Sequence, residues 1–282
     1  MLDKNKIKEL NIFATKMRIE TIRQIATRGF GHIGGAMSIC DVLAVLYGDV
    51  MKIDPKNPKW DKRDWFICSK GHAGPAVYSA LALKGFFPVE ELKTLNQNGT
   101  NLPSHCDRTK TRGIDVTTGS LGQGLSVGTG VALGHRLDKK DNYTYVILGD
   151  GECEEGQVWE AVLYASQRKT SNLIAFVDYN RQQIDGYTKD INDLGDICQK
   201  FKDFGWYALS IDGSKVEEIE NAIEKAKSQN EKPSVIVLNT KKGEGCSFAE
   251  NTLNNHHINV SMEQGNEAIK ILEKKLNTLM NN

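Results

Sequence analysis

The sequence predicts an α/β fold in which a mostly parallel sheet lies between two layers of helices. Three observations lead to this prediction. Short apolar runs alternate along the chain with longer segments whose apolar residues recur at helical spacing. Glycine-containing turns follow several of these runs, and no linker or internal repeat interrupts the 282 residues. Repeated strand–helix units imply parallel strands covered by helices on both faces, and we expect residues 1–282 to form a single domain.

The predicted elements follow in order along the chain. Apolar residues at helical spacing predict a first helix over residues 4–27, which ends near Gly29. Residues 120–137 are rich in glycine and predict a helix packed closely against the sheet or a cofactor. The other predicted helices are 41–50, 75–83, one that begins near Val158, 194–204, 216–227 and 261–280. The predicted strands are 64–68, 143–148, 173–177, 206–211 and 234–238.

Composition excludes several classes of protein. Lys plus Arg and Asp plus Glu number 36 each, so no net charge attracts nucleic acid or an anionic membrane. The cysteines lie far apart, without the paired spacing of zinc sites or redox dithiols, at Cys40, Cys68, Cys106, Cys153, Cys198 and Cys246. The chain begins with a charged amphipathic segment and has no run long enough to span a bilayer. We therefore expect reduced, mostly buried thiols in a cytoplasmic protein.

Two polar residues follow neighbouring apolar runs and predict a metal site. Asp150 lies in a Gly-Asp-Gly turn after residues 143–148, and Asn180 follows residues 173–177. If these strands are parallel neighbours, both side chains emerge at the same edge of the sheet, where α/β proteins bind ligands. Mg²⁺ prefers about six oxygens and commonly shares them between protein groups and phosphates. The expected ligands are Asp150, Asn180 and the backbone carbonyl of Gln182, with Ca²⁺ as the alternative ion.

Several motifs then resemble one family. The Gly-Asp-Gly turn, the helix after it and the second strand ending in Asn180 resemble the thiamin-diphosphate motif, and residues 181–186 resemble the matching segment of transketolases. Four other segments occur in transketolase order, at residues 31–35, 69–74, 104–107 and 116–124. The resemblance covers nearly the whole chain but only the amino-terminal part of a transketolase. It implies a thiamin-diphosphate-binding fold of the diphosphate-binding type.

The resemblance assigns catalytic roles to four histidines. His32 and His105 would face the ketose donor, and His72 would lie beside the thiazolium ring and the substrate. The segment after residue 241 matches a loop whose histidine contacts both diphosphate and substrate. An ungapped placement selects His256, and His257 is the alternative. Histidine suits proton transfer between sugar hydroxyls because its ordinary pKa lies close to neutral pH.

The resemblance also assigns residues to the cofactor. These are His72, Gly119, Ser120, Leu121, Gly149, Asp150, Gly151, Glu155, Asn180, Ile184 and His256. Glu155 matches a family glutamate at the interface between subunits, although an exposed acid near a helix amino terminus is also stabilised by the helix dipole alone. The chain departs from the family at Ile33, Cys106 and Ser120, where proline is common. These departures bear on the sugar substrate more than on the cofactor.

The implied activity is transfer of a two-carbon ketol unit from a ketose to an aldose, with thiamin diphosphate and Mg²⁺. We expect a split transketolase, in which a second subunit supplies the pyrimidine-binding domain within an α2β2 heterotetramer. One alternative is the α subunit of a 2-oxo acid dehydrogenase, and another is a cofactor-binding but inactive regulatory subunit. The histidines favour transketolase, because decarboxylation of a 2-oxo acid does not need several groups for sugar hydroxyls. A phosphorylated pentose and a sulfonated or branched sugar both stay open as substrates.

Overall fold

The computed structural model describes residues 2–281, which form two sheets and the helices that cover them. The strands are β1 (Phe30–Gly31), β2 (Trp65–Cys68), β3 (Thr144–Gly149), β4 (Leu173–Tyr179), β5 (Tyr207–Asp212), β6 (Ser234–Asn239) and β7 (Ile258–Asn259). The α-helices are α1 (Lys4–Arg28), α2 (Gly34–Met37), α3 (Cys40–Val45), α4 (Gly74–Leu83), α5 (Gln123–Leu137), α6 (Gly156–Gln167), α7 (Thr188–Ile191), α8 (Ile197–Asp203), α9 (Val216–Ser228) and α10 (Met262–Asn281).

The main sheet has the strand order β2-β3-β4-β6-β5, and all four strand pairs are parallel. In the register of β3 with β4, Gly149 lies opposite Asp178, so the two strands end side by side. The small second sheet pairs β1 with β7 in antiparallel orientation. The predicted mostly parallel sheet is confirmed, and Asp150 and Asn180 leave it at the same edge.

Hydrophobic cores lie on both faces of the main sheet. Successive residues of a strand point to opposite faces. Accordingly, Tyr145 and Ile147 of β3 join the core that includes residues of α1, α3 and α4, whereas Val146 and Leu148 join the core formed with α5, α6 and α8. Both faces of β3 are therefore buried, as expected for a strand inside a parallel sheet. The predicted three layers are confirmed.

Local sequence explains where the elements begin and end. The side chain of Asp3 accepts a hydrogen bond from the Lys6 amide at 2.8 Å and caps the start of α1. The helix ends at Gly29, which adopts a left-handed conformation with φ of 92°. A Cβ on Gly124 of α5 would lie 2.3 Å from Oγ of Ser69. Gly124 thus permits the close packing that the sequence predicted for this helix.

The structure differs from the predicted elements mainly in short segments. The predicted helix 41–50 is divided into α3 and a π-helical turn, Leu46–Val50. The sequence did not predict α2, α7, β1 or β7, because elements of two to four residues are too short to show a period. Within residues 2–281, no helix combines the length and the apolar character needed to cross a membrane.

Candidate cofactor and substrate site

The three predicted metal ligands lie together at the carboxyl ends of β3 and β4. One carboxylate oxygen of Asp150 accepts a hydrogen bond from the Gly151 amide at 2.9 Å, and the other accepts one from the Arg181 amide at 2.5 Å. Oδ1 of Asn180 accepts a hydrogen bond from the Gln182 amide at 3.1 Å. The turn after β4 therefore folds back onto the Gly-Asp-Gly turn, and this contact brings together the oxygen atoms predicted as metal ligands.

Buried charges of both signs surround these ligands. Burial, reinforced by the nearby charge of Asp178, raises the pKa of Asp150 to about 7. Burial also lowers the pKa of Lys242 to about 8, and its ammonium donates to the Gln182 carbonyl at 3.2 Å. A divalent cation would favour the ionised form of Asp150, because it supplies the opposite charge that the buried carboxylate lacks.

The donor set fits a hard cation that is shared with a phosphate. It consists of one carboxylate, one amide oxygen and one backbone carbonyl, and Mg²⁺ is commonly bound by one or two carboxylates together with phosphate oxygens. Among the described residues, no three His, Cys, Asp or Glu side chains are grouped as metal ligands. The oxygen ligands of Asp150, Asn180 and Gln182 fit Mg²⁺ shared with a diphosphate.

A cavity of about 460 Å³ opens beside these donors, a size within the range of small-molecule sites. The predicted site residues that line it are His72, Leu121, Gly149, Asp150, Gly151, Glu155, Asn180, Gln182, Ile184 and His256. Gly119 and Ser120 do not line it. Ser120 is exposed, and Gly119 lies beside His105, where an added Cβ would be 3.2 Å from the imidazole Cδ2.

Four predicted histidines form one cluster, and two of them, His72 and His256, line this cavity. The ring of His32 lies 5.3 Å from that of His72, 5.5 Å from that of His105 and 5.4 Å from that of His256, measured between centroids. The rings of His72 and His256 are 4.7 Å apart. Residues from four separate loops therefore form one cluster of imidazoles beside the metal ligands.

The two candidate loop histidines occupy different places. His256 lines the cavity that Asp150 also lines, and it contacts His72. His257 is exposed and does not line that cavity, and its ring lies 4.5 Å from that of His32 and 5.6 Å from that of Phe30. The geometry favours His256 for contact with both diphosphate and substrate.

The clustered imidazoles are neutral near pH 7. Burial lowers the pKa of His32 to about 3 and that of His256 to about 4, with neighbouring histidines and lysines adding to the effect. Burial also lowers the pKa of His72, well below its ordinary value, and that of His105. A neutral imidazole has one N–H donor and one nitrogen acceptor, so each ring can exchange hydrogen bonds with sugar hydroxyls.

Sequence reasoning missed four buried charged residues of the site. Glu152 accepts from the Gly149 amide at 2.9 Å, from the Gly122 amide at 2.8 Å and from the Ser69 hydroxyl, and so ties the Gly-Asp-Gly turn to the glycine loop before α5. The other three are Lys70, Asp178 and Lys242. Glu152, Lys70 and Lys242 occur within or beside glycine-containing motifs that follow strands, and a charge in such a place is the signal that would have identified them. Asp178 lies inside β4, where a charge within an apolar run is the signal.

Comparisons with known proteins agree on one family. Residues 10–277 match the family described as the thiamine diphosphate binding domain of transketolase. The chain is 53% identical over 262 residues to the 6-deoxy-6-sulfo-D-fructose transketolase subunit SqwG of Clostridium sp. (strain MSTE9), with 93% of this chain and 95% of that protein covered. It is 37% identical over 273 residues to one of the subunits of the apulose-4-phosphate transketolase of Phocaeicola vulgatus, with 97% of each chain covered.

Solved structures give the same result. A transketolase from Campylobacter jejuni superposes with a TM-score of 0.87 at 30% identity, covering 98% of this chain and 43% of that one. A transketolase mutant from Pichia stipitis superposes with a TM-score of 0.86 at 33% identity, covering 95% of this chain and 40% of that one. The chain thus spans less than half the length of these solved transketolases.

Proposed function

The chain belongs to the family of transketolase thiamine-diphosphate-binding domains, and from this premise we propose that it is the amino-terminal catalytic subunit of a split transketolase. It transfers a two-carbon ketol unit from a ketose to an aldose. The observation that carries the proposal is the meeting of Asp150, Asn180 and Gln182 at one sheet edge, beside a cavity that His72 and His256 of the imidazole cluster line. The fold alone would not decide between functions, whereas this combination of groups matches the chemistry.

The residues at the metal edge bind the cofactor. Asp150, Asn180 and the carbonyl of Gln182 would hold Mg²⁺, and the ammonium of Lys242, which lines the same cavity, would face the diphosphate. Leu121 and Ile184 provide apolar surface in this cavity. Gly119 and Ser120 do not line it and would contribute by positioning the loop that carries Leu121. Thiamin diphosphate supplies, when bound, the carbon nucleophile and electron sink needed to cleave and form the carbon–carbon bond.

The histidines act on the sugar. His105 accepts or donates a proton at the reacting carbonyl and hydroxyl, and its orientation is set by a 2.9 Å hydrogen bond between its Nδ1 and the Ser104 hydroxyl. His32 faces the ketose donor at the centre of the cluster, and His72 and His256 lie between the sugar and the cofactor. Their neutral state near pH 7 lets them serve as acceptors as well as donors.

The substrate we propose is a ketose with an anionic group at its far end. The relative with 53% identity is named for a sulfonated fructose, and the relative with 37% identity is named for a sugar phosphate. The higher identity leads us to place the sulfonated ketose first and the phosphorylated one second. The two differ in the charge and size of the anionic group.

The active enzyme contains a partner subunit with the pyrimidine-binding domain, most simply as an α2β2 heterotetramer. Two relatives of nearly the same length are named as subunits. Large apolar side chains are exposed on neighbouring α5 and α6, among them Val127, Leu163 and Tyr164, and exposed apolar surface commonly marks a protein interface. Glu155 lines the cavity and is exposed, as a residue that meets the partner would be. All six cysteines are free and buried, and we place the assembly in the cytoplasm.

The test of function uses the chain together with its partner subunit. Calorimetry should detect thiamin diphosphate binding with Mg²⁺ and none with EDTA. The assembled enzyme should transfer a ketol unit when it is given 6-deoxy-6-sulfofructose and an aldose phosphate. Reduction of an electron acceptor with a 2-oxo acid would instead identify the dehydrogenase alternative. Cofactor binding without turnover on any ketose would identify a regulatory subunit.

A further inference from the structure

Asp178, two residues before Asn180, is fully buried and is surrounded by hydrogen-bond donors. Its Oδ2 accepts from the Ser38 hydroxyl at 2.7 Å, the Lys70 ammonium at 2.6 Å and Nδ2 of Asn180 at 2.8 Å. Its Oδ1 accepts from the Thr240 hydroxyl at 2.5 Å. These donors come from four separate parts of the chain and converge on one carboxylate beside the metal ligands.

A buried ammonium and two hydroxyls face this carboxylate. The Lys70 ammonium lies 2.6 Å from Oδ2 of Asp178, and the Ser38 and Thr240 hydroxyls donate to its two oxygens. Lys70 is itself 2% exposed and also donates to the Gly35 carbonyl at 2.8 Å. Because the oxygens of a carboxylate accept hydrogen bonds, the Asn180 amide meets this one through its Nδ2 donor.

We propose that Asp178, held by Lys70, is a positioning residue that sets the orientation of the Asn180 amide for metal binding. Nδ2 of Asn180 must face Asp178, and Oδ1 must therefore point to the opposite side, where it accepts from the Gln182 amide at 3.1 Å. A flipped amide would place an oxygen against the carboxylate and an amine against both the Gln182 N–H and the cation. The flipped state is disfavoured at both ends of the amide.

The role concerns the oxygen ligand and not the general stability of the fold. Partners of metal ligands typically change metal affinity by about 10- to 100-fold when they are replaced. Asp178→Asn alone would still turn its oxygen toward the Lys70 ammonium, and that same oxygen would go on accepting from Nδ2 of Asn180. Lys70→Met is therefore combined with Asp178→Asn, so that the introduced amide can present either a donor or an acceptor and the Asn180 amide is free to flip. Adding Asn180→Asp reverses the pair: the amide introduced at position 178 donates to the carboxylate introduced at position 180, whose other oxygen faces the metal.

The experiment rests on the proposed function and uses the full-length chain with its partner subunit. Mg²⁺ is titrated by calorimetry at a fixed thiamin diphosphate concentration. Relative to Lys70→Met alone, we expect Lys70→Met with Asp178→Asn to weaken Mg²⁺ binding by about 10- to 100-fold, and the added Asn180→Asp to restore most of the loss. The matched control is Thr240→Val, which removes a donor to the other oxygen of Asp178 and should leave Mg²⁺ affinity unchanged. Thermal melting without Mg²⁺ shows that each variant is folded.

The outcomes separate this inference from the proposed function. If the wild-type complex does not bind Mg²⁺ with thiamin diphosphate, the proposed function itself fails. If it binds and Lys70→Met with Asp178→Asn binds as tightly as Lys70→Met alone, or if the added Asn180→Asp restores nothing, Asp178 does not position Asn180. A Mg²⁺-bound crystal structure in which the amide oxygen of Asn180 faces Asp178 would also overturn the inference.

Discussion

Replacing Asp150 by Asn should stabilise the metal-free chain while removing its metal site. Asp150 is 3% exposed, and burial together with Asp178 raises its pKa from 3.8 to about 7. This change is about three pKa units at about 1.4 kcal/mol each, so the ionised carboxylate costs up to ~4 kcal/mol above pH 7. Asn has only one acceptor oxygen, so one of the two hydrogen bonds from the Gly151 and Arg181 amides is lost. This loss lowers the stability of the variant by ~1–3 kcal/mol. We expect a net gain of ~1–3 kcal/mol at pH 8.

The sign of the pH dependence follows from the raised pKa. Between about pH 4 and pH 7 the folded wild-type chain holds a proton on Asp150 that the unfolded chain has released. This residue therefore makes the wild-type chain less stable as pH rises through that window, and Asp150→Asn does not share the loss. Urea unfolding in EDTA at pH 5 and pH 8 measures the difference, which should widen at pH 8. Asp190→Asn, an exposed acid given the same substitution, should change stability by no more than about 0.5 kcal/mol.

Cofactor binding should change in the opposite direction. Asp150 is the one side-chain carboxylate that we assign to the metal, so Asp150→Asn should abolish Mg²⁺-dependent binding of thiamin diphosphate by the assembled complex. Calorimetry with and without Mg²⁺ gives this result directly. Unchanged cofactor affinity, or a metal-free variant that is less stable than wild type at pH 8, would refute the reasoning.

Three further predictions follow from the same structure. His105→Ala should lower turnover by about 10²-fold or more with cofactor affinity unchanged, and near-normal turnover at saturating ketose and aldose would remove His105 from the mechanism. The purified chain alone should show no ketol transfer at any thiamin diphosphate concentration, and adding the partner subunit should restore it; transfer by the chain alone would reject the split enzyme. Gly124→Ala should lower the unfolding free energy by about 1–3 kcal/mol, because its Cβ would lie 2.3 Å from Oγ of Ser69. In the same helix, a Cβ at Gly130 would meet open space, so Gly130→Ala should raise the unfolding free energy by up to ~1 kcal/mol. Equal effects of the two substitutions in urea unfolding would contradict the close approach of Gly124 to Ser69.

Much of the fold could be predicted from the sequence because periodicity is a local property. The long helices and the five strands of the main sheet lie within a few residues of their predicted bounds. Asp150 and Asn180 could be selected as metal ligands for a similar reason. Each follows a buried parallel strand, and neighbouring parallel strands end at the same edge. The short elements α2, α7, β1 and β7 could not be predicted, because two to four residues carry no period.

The sequence by itself therefore determined the three-layer architecture, the family and the sheet edge at which the proposed metal ligands lie. The tertiary structure decided which side chains meet there. It separated His256, which lines the cavity, from the adjacent His257, which does not. It also joined Lys70 to Asp178, which are 108 residues apart. Strand and helix periods depend on neighbours along the chain, whereas these contacts depend on how separate loops pack at the sheet edge, and no local pattern records that packing.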